Sequence, residues 1–401
     1  MYMPNYHLSK DGYDELPEVL ASRGFKKAVL VGGKRALDAA SGKIKDALKG
    51  TDVAITGSFV YGVECTDANI ERLMKEPAVQ EADIIFGIGG GKALDTAKVL
   101  SLRVDKPAFS FPTICSNCAA MTAIAVVYHE DGRVRGYEFP KSPSDIFIDL
   151  KIIAEAPEIY FWAGIGDGIS KQAEVLSASK GDDLSHMARL GVGIAETCEE
   201  PFLKWGKEGL EDVKHNRVSH AVEEIALDVL VSTGYVSNLT NQPDFYYNSY
   251  IAHIFFDAAC LIPREGNYLH GEVVSFGVMV LHAYDGDEAE LEKIARFNQS
   301  IGLPITLEDV GLTADDLDEM MTFVPETTEY KRSSKPISVE KIKAAALTAD
   351  AYGRSLKKAQ KNPVDRGFFM ERFKIRRLKS GRKSNRRRYY TRCERNRPAC
   401  R

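Results

Sequence analysis

Short apolar runs alternate with amphipathic stretches over the first 150 residues, and helical periodicity takes over afterwards. Lys27 to Val31 runs into Gly32-Gly33 and predicts a strand ending in a turn; Val53 to Thr56 predicts a second strand, and Asp67 to Lys75 a helix. Asp83 to Ile88 is almost continuously apolar, as expected of a parallel strand covered on both faces. Gly89-Gly90-Gly91 then opens a helix whose apolar positions include Leu94, Ala97, Val99 and Leu100, and Ala108 to Thr113 gives a further strand. Ala123 to Tyr128 and Arg133 to Phe139, joined by Glu130-Asp131-Gly132, predict a β-hairpin, and Asp145 to Asp149 a last strand. From about Lys151 to Lys358 the pattern is helical, with breaks at Pro201, Pro243, Pro263 and Pro304. The expected fold is an α/β N-terminal domain with a parallel sheet, residues 1–150, followed by an all-α C-terminal domain, residues 151–358.

Composition changes this picture little. The chain has 401 residues, 44% hydrophobic and 27% charged, which suits two ordinary globular domains. No stretch reaches the roughly 18 consecutive apolar residues that a membrane span needs. Met1 to Lys10 lacks the basic and apolar regions of a secretory signal, and seven scattered cysteines do not form a disulfide framework. A cytoplasmic protein, without a membrane partner, is expected.

Charge changes it more. Residues 359–401 carry 16 Lys or Arg against Asp365, Glu371 and Glu394, so the rest of the chain is strongly acidic. Clustered Arg with Tyr389 and Tyr390 could serve as a nucleic-acid arm. The abrupt change of composition, with no apolar period, favours instead a disordered extension or a translated frameshift after the folded protein. An acidic body also argues against a nucleic-acid partner.

Candidate chemistry begins at Phe86-Gly87-Ile88-Gly89-Gly90-Gly91-Lys92, where a strand meets a helix. Glycines there let a backbone approach a pyrophosphate, and a helix N-terminus offers free N–H groups. A Walker A loop fails at Phe86 and Ala93, and the Rossmann spacing fails at Lys92. Taken alone, the segment is either a tight turn or a phosphate cradle.

The match extends past the glycines. Gly89-Gly90-Gly91-Lys92-x-x-Asp95-x-Ala97-Lys98 resembles the GGGKxxDxAK motif of the metal-dependent (iron-type) alcohol dehydrogenase superfamily. Phe111-Pro112-Thr113-Ile114 resembles its PTI segment, and Ala163 to Asp167 and Leu269 to Glu272 resemble its two metal-bearing segments. These similarities run in order over residues 25–280. The resemblance implies the glycerol-dehydrogenase-like fold shared with dehydroquinate synthases, and hydride transfer between a nicotinamide cofactor and a small hydroxy or oxo substrate. It implies pyrophosphate binding at Gly89, Gly90 and Gly91, and further cofactor contacts at Lys92, Asp95, Thr113, Thr122, Ile124 and Tyr128. Relatives of this kind also imply a homo-oligomer.

By residue type alone, Asp167, His253 and His270 could as well be ordinary core or capping residues. One carboxylate and two imidazoles would nonetheless leave a coordination position open for substrate oxygen. The resemblance assigns all three to a divalent metal. Iron-type members carry a further His one turn after the Asp, where this chain has Lys171; the three-ligand set is that of the zinc-dependent glycerol-dehydrogenase-like branch, so zinc is expected over iron. Asp257 departs from the His-Asn-Gly that relatives often place after the second ligand.

NAD-specific relatives place an Asp after the first strand of the dinucleotide fold. Here that stretch is Val31-Gly32-Gly33-Lys34-Arg35, with no acid and two cations. Lys34 or Arg35 could pair with a 2′-phosphate, so NADP(H) is expected over NAD(H). The other reading is a solvated Lys-Arg pair at a helix start. Glycerol dehydrogenases typically carry Asp at the position of Cys118, which contacts substrate hydroxyls. Cys118-Ala119-Ala120, Gly33-Lys34-Arg35 and Lys171 together resemble a sub-branch of hydroxycarboxylate dehydrogenases that reduce 2-oxo acids. A small 2-oxo or 2-hydroxy acid is therefore the expected substrate, and a polyol oxidised with NAD the alternative. Cys115-x-x-Cys118 could also be a redox pair, whereas a structural zinc would need a second pair that Cys393 and Cys400 are wrongly spaced to supply. A dehydroquinate-synthase-like lyase is a weaker alternative, because its several cleft cations cannot be matched.

Overall fold

A computed structural model of the chain describes residues 3–359. The basic segment discussed above, residues 359–401, lies outside the described residues except for Ala359.

Six parallel strands form one sheet: β1 (Asn5–Ser9), β2 (Lys27–Gly32), β3 (Ala54–Val60), β4 (Ile84–Gly89), β5 (Ala108–Pro112) and, at the end of the region, β8 (Asp145–Asp149). Between them β6 (Ala125–Tyr128) and β7 (Val134–Glu138) pair antiparallel as a separate hairpin. The sheet order is β1-β8-β5-β4-β2-β3. After β3 the chain returns to the other side of β2 to form β4, so the topology switches direction between β2 and β4. Ligands of open α/β sheets bind beyond the carboxyl ends of the strands at such a point. The two glycine turns, Gly32-Gly33 and Gly89 to Gly91, close β2 and β4.

The core explains why these runs form a buried sheet. Phe86, Phe109, Phe111 and Phe147, from β4, β5 and β8, are fully or almost fully buried and pack with ring centroids 4.9–5.7 Å apart. Each such side chain contributes about 1.5–3 kcal/mol on burial.

Strand β1 was not predicted. Asn5–Ser9 is short, half-exposed and without alternation. What holds it at the sheet edge is polar: the Asn5 amide and the His7 ring both reach Asp145 at 3.2 Å, and His7 stacks on Phe147. No hydrophobic period reports such bonds.

The change of texture falls between Asp149 and Leu150, where helices begin. Pro243, Pro263 and Pro304 lie between helices, but Pro201 sits in the first turn of the helix Glu200–Lys214, where its missing N–H costs nothing. Among the described residues, sheet and helical region pack into one compact unit up to residue 354; those beyond it, 355–359, are the end of the helix Val339–Ala359.

Candidate active site

The glycines of the first turn stand where side chains cannot. Gly89 has φ +146°, and a Cβ there would lie 2.8 Å from the Ala93 side chain and 3.8 Å from the Gly33 amide nitrogen. A Cβ on Gly90 would meet Ile114 at 2.4 Å, and one on Gly32 the Ile88 carbonyl at the same distance. The two turns are thus adjacent, and the helix Gly91–Val104 starts from them with its first amides lacking intrahelical acceptors. Gly33 caps the helix Lys34–Ala47 in an extended conformation (φ −74°, ψ 150°), and Lys34 and Arg35 are exposed in its first turn without an acid beside them. This geometry suits a dinucleotide phosphate: bare backbone, two helix N-termini and nearby cations.

The other residues of that motif are placed differently. Lys92 is exposed, pairs with Glu64 at 2.5 Å and lies 5.4 Å over the Tyr128 ring. Asp95 is buried; its carboxylate meets the Lys98 ammonium at 2.8 Å and accepts the Val126 amide at 3.1 Å. Lys98 is itself buried and donates to the carbonyls of Ala119, Thr122 and Ile124 at 2.5–3.2 Å, and to the Thr122 hydroxyl at 3.3 Å. Asp95 and Thr122 therefore shape the site by anchoring the 115–124 loop from behind. Thr113 is buried and donates its amide to the Gly89 carbonyl at 3.1 Å.

Asp167, His253 and His270 come together. The His270 Nε2 lies 2.9 Å from Asp167 Oδ1, and the His253 Nε2 lies 3.7 Å from the same oxygen. One donor atom from each residue falls within 4.8 Å of the others, the only such cluster of three among the described residues. Glycines make the convergence possible. The helix Glu158–Gly168 crosses the start of the helix His270–Asp285 so closely that a Cβ on Gly271 would sit 1.8 Å from the Ala163 carbonyl, and one on Gly166 2.4 Å from the Gly271 carbonyl. A Cβ on Gly164 would likewise strike the Cys115 carbonyl at 2.2 Å, which seats the 115–124 loop against the same helix.

Sequence reasoning missed the residue that organises this cluster. Glu174 is fully buried; it accepts from the His253 Nδ1 at 2.6 Å and from the backbone amides of Tyr250 and His253 at 2.7 and 2.9 Å. It fixes the ring so that Nε2 faces Asp167, the carboxylate–histidine arrangement typical of metal ligands. Burial alone would lower the His253 pKa, but Glu174 and Asp167 outweigh it and raise it to about 9. Burial would likewise raise Asp167, yet the two histidines and Lys171 hold its carboxyl below the usual range. The donor set, one carboxylate and two imidazoles with the second His pre-oriented, fits a divalent cation.

Cys118 is half-buried on the loop facing this cluster, near Lys171, Asp167 and Thr233; burial raises its thiol pKa, so it is neutral at ordinary pH. Burial and the neighbouring Glu329 raise Asp257, one turn beyond His253, to about 8. The only signal that could have exposed Glu174 is its place seven residues after Asp167, two turns along.

Comparison with known proteins agrees with this geometry. Residues 4–149 match the iron-containing alcohol dehydrogenase family. The chain is 30% identical over 310 residues to a glycerol dehydrogenase of Thermotoga maritima, covering 74% of this chain and 82% of that one. It is 26% identical over 360 residues to hydroxycarboxylate dehydrogenase A of Escherichia coli, covering 89% and 95%. Among solved structures, a probable glycerol dehydrogenase from Sinorhizobium meliloti superposes with a TM-score of 0.74 at 28% identity, over 89% of this chain and 99% of that one. No described helix is long and apolar enough to cross a membrane. The chain belongs to the iron-containing alcohol dehydrogenase family, in its glycerol-dehydrogenase-like part, and is a dehydrogenase acting on CH–OH groups with a nicotinamide dinucleotide and a divalent metal.

Proposed function

We propose that this dehydrogenase interconverts a small 2-oxo acid and its 2-hydroxy acid, with NADP(H) and zinc. When bound, the dinucleotide supplies or accepts the hydride, and a divalent cation held by Asp167, His253 and His270 supplies a Lewis acid. Gly89, Gly90 and Gly91 let the pyrophosphate approach the backbone, and Lys34 and Arg35 pair with a 2′-phosphate. Two imidazoles with one carboxylate suit zinc and iron(II) alike; Lys171, standing where iron-type members carry a further His, favours zinc.

The observation that carries the substrate reading is Cys118, a neutral thiol on the loop beside Asp167. A carboxylate there would repel a substrate carboxylate; a thiol leaves room for it, and gives up the acceptor that would read polyol hydroxyls. The second reading, a polyol oxidised with NAD, draws on the similarity to proteins named glycerol dehydrogenase. A panel of 2-oxo acids, neutral ketones and polyols, each assayed with both nicotinamide cofactors, separates the two. The expected result is the highest kcat/KM for a 2-oxo acid with NADPH, with Cys118→Asp depressing it by about tenfold or more. The Gly33→Asp variant should move preference towards NADH, since an extended backbone accepts the side chain and its nearest neighbour, Tyr61, lies 3.7 Å from the new Cβ. Glycerol oxidation with no measurable 2-oxo acid reduction overturns the proposal.

A further inference from the structure

Lys171 is a buried cation that the scaffold alone does not explain. It lies four residues after Asp167, at the start of the helix Ser170–Ser179, and is only 6% exposed. Its ammonium donates to the Asn248 carbonyl at 3.0 Å and to the Asn248 side-chain oxygen at 2.8 Å. Both acceptors are neutral, and no carboxylate lies within ion-pair distance of it among the described residues. An ammonium has three N–H donors, so one remains. Burying an unpaired charge is costly, and a side chain kept in that state points to a partner outside the chain.

The charges around it identify that partner. The ionised groups of the site that feel Lys171 are Asp167, Glu174 and His253, and Cys118, which also feels it, is neutral. Glu174 is committed to His253, and Asp167 to the cation site. With His253 protonated, two carboxylates face two cations and the pocket without a metal is balanced. A divalent cation on Asp167, His253 and His270 displaces that proton, and the loaded pocket then carries a net positive charge with one ammonium donor unused. Asp257 is held neutral by burial beside Glu329, whose own carboxylate accepts from the Tyr246 hydroxyl.

Resting on the 2-oxo acid reading, we infer that Lys171 is the residue that binds the substrate carboxylate, with Asn248 holding its ammonium in place. A neutral ketone or polyol cannot use that donor. Lys171 thus determines specificity for charge, while Cys118 only permits it.

The test is binding of oxamate, a non-reducible mimic of a 2-oxo acid, to the zinc-loaded protein with NADPH bound, followed by nicotinamide fluorescence. Two variants are used: Lys171→Met removes the charge, and Asn248→Asp keeps the lysine but neutralises it with a carboxylate. Both should weaken oxamate by roughly ten- to hundredfold, the usual range for a lost charge-assisted hydrogen bond. Zinc content and KM for hydroxyacetone, a neutral ketone of similar size, should stay unchanged. If Lys171→Met does not fold, Asn248→Asp decides alone. Oxamate affinity within twofold of wild type in the folded variants overturns the role of Lys171 and leaves the 2-oxo acid reading standing. Loss of zinc together with oxamate affinity makes Lys171 a structural residue and overturns it too. Wild-type protein that does not bind oxamate at all overturns both.

Discussion

The crevice at the sheet and the cluster between the helices are built by opposite means. At the ends of β2 and β4 the useful feature is missing side chains: Gly32, Gly89 and Gly90 would collide with their neighbours if they carried a Cβ. At Asp167, His253 and His270 the useful feature is side-chain atoms, and glycines serve only to bring their helices close. The first region offers backbone and is sensitive to added atoms. The second offers donors and is sensitive to their loss. Substitutions can therefore separate the two functions cleanly.

The largest effect is expected at the donors. His270→Ala removes one of the three proposed metal donors, and turnover should fall by about a thousandfold or more while the affinity for reduced cofactor, read by fluorescence, barely changes. Retention of both zinc and activity would remove His270 from the site. The mirror experiment is Gly89→Ala. Its φ of +146° makes any side chain strained, and the Ala93 side chain leaves no room. A cost of about 1–3 kcal/mol should weaken dinucleotide binding by roughly ten- to hundredfold, with zinc content intact. Equal loss of zinc would show that the two regions are not separable.

Glu174→Gln sharpens the comparison, because it touches no ligand atom. The amide still accepts from the Tyr250 and His253 amides but no longer favours a charged or metal-directed ring. Zinc affinity, measured by competition with a chelator, should drop by about ten- to hundredfold. An unchanged affinity would reduce Glu174 to packing.

The smallest effect is in pH. With no metal bound, the raised pKa of His253, about 9 against the ordinary 6.5, stabilises the fold fully below 6.5 and is lost as pH climbs through 9. Zinc needs the ring neutral, so it competes with a proton that occupies the ring more fully as pH falls below 9. The rise in melting temperature on adding zinc should therefore grow between pH 6.5 and 9. A zinc effect that is flat over that window would mean that His253 does not bind the metal.

How much of this the chain announced depends on the means of construction. The sheet strands except β1, and both glycine turns, were legible because a buried strand must be apolar and a crowded turn must be glycine. Asp167, His253 and His270 were legible only through motif resemblance, since spacing alone says nothing about residues 86 and 17 positions apart meeting at one point. Glu174 was silent for the same reason: its bond to His253 spans 79 residues and depends on how two helices pack. β1 was silent because its support is a polar contact with Asp145. Asp95 and Lys98 stand in the motif that follows the glycines, and their bonds to each other and to the 115–124 loop follow from packing that no motif spells out.

That last arrangement has a bearing on how such enzymes diversify. The 115–124 loop is held through its main-chain carbonyls, which Lys98 gathers from below, and through the Asn238 side chain, which receives the Ala123 amide and donates to the Met121 carbonyl. A fastening that reads mainly the peptide backbone is indifferent to side chains that take no part in it or in the core. Cys118, half-buried, is such a side chain, so it can be rewritten without disturbing the path of the loop, and a new substrate preference becomes reachable by a single substitution in a framework that stays the same.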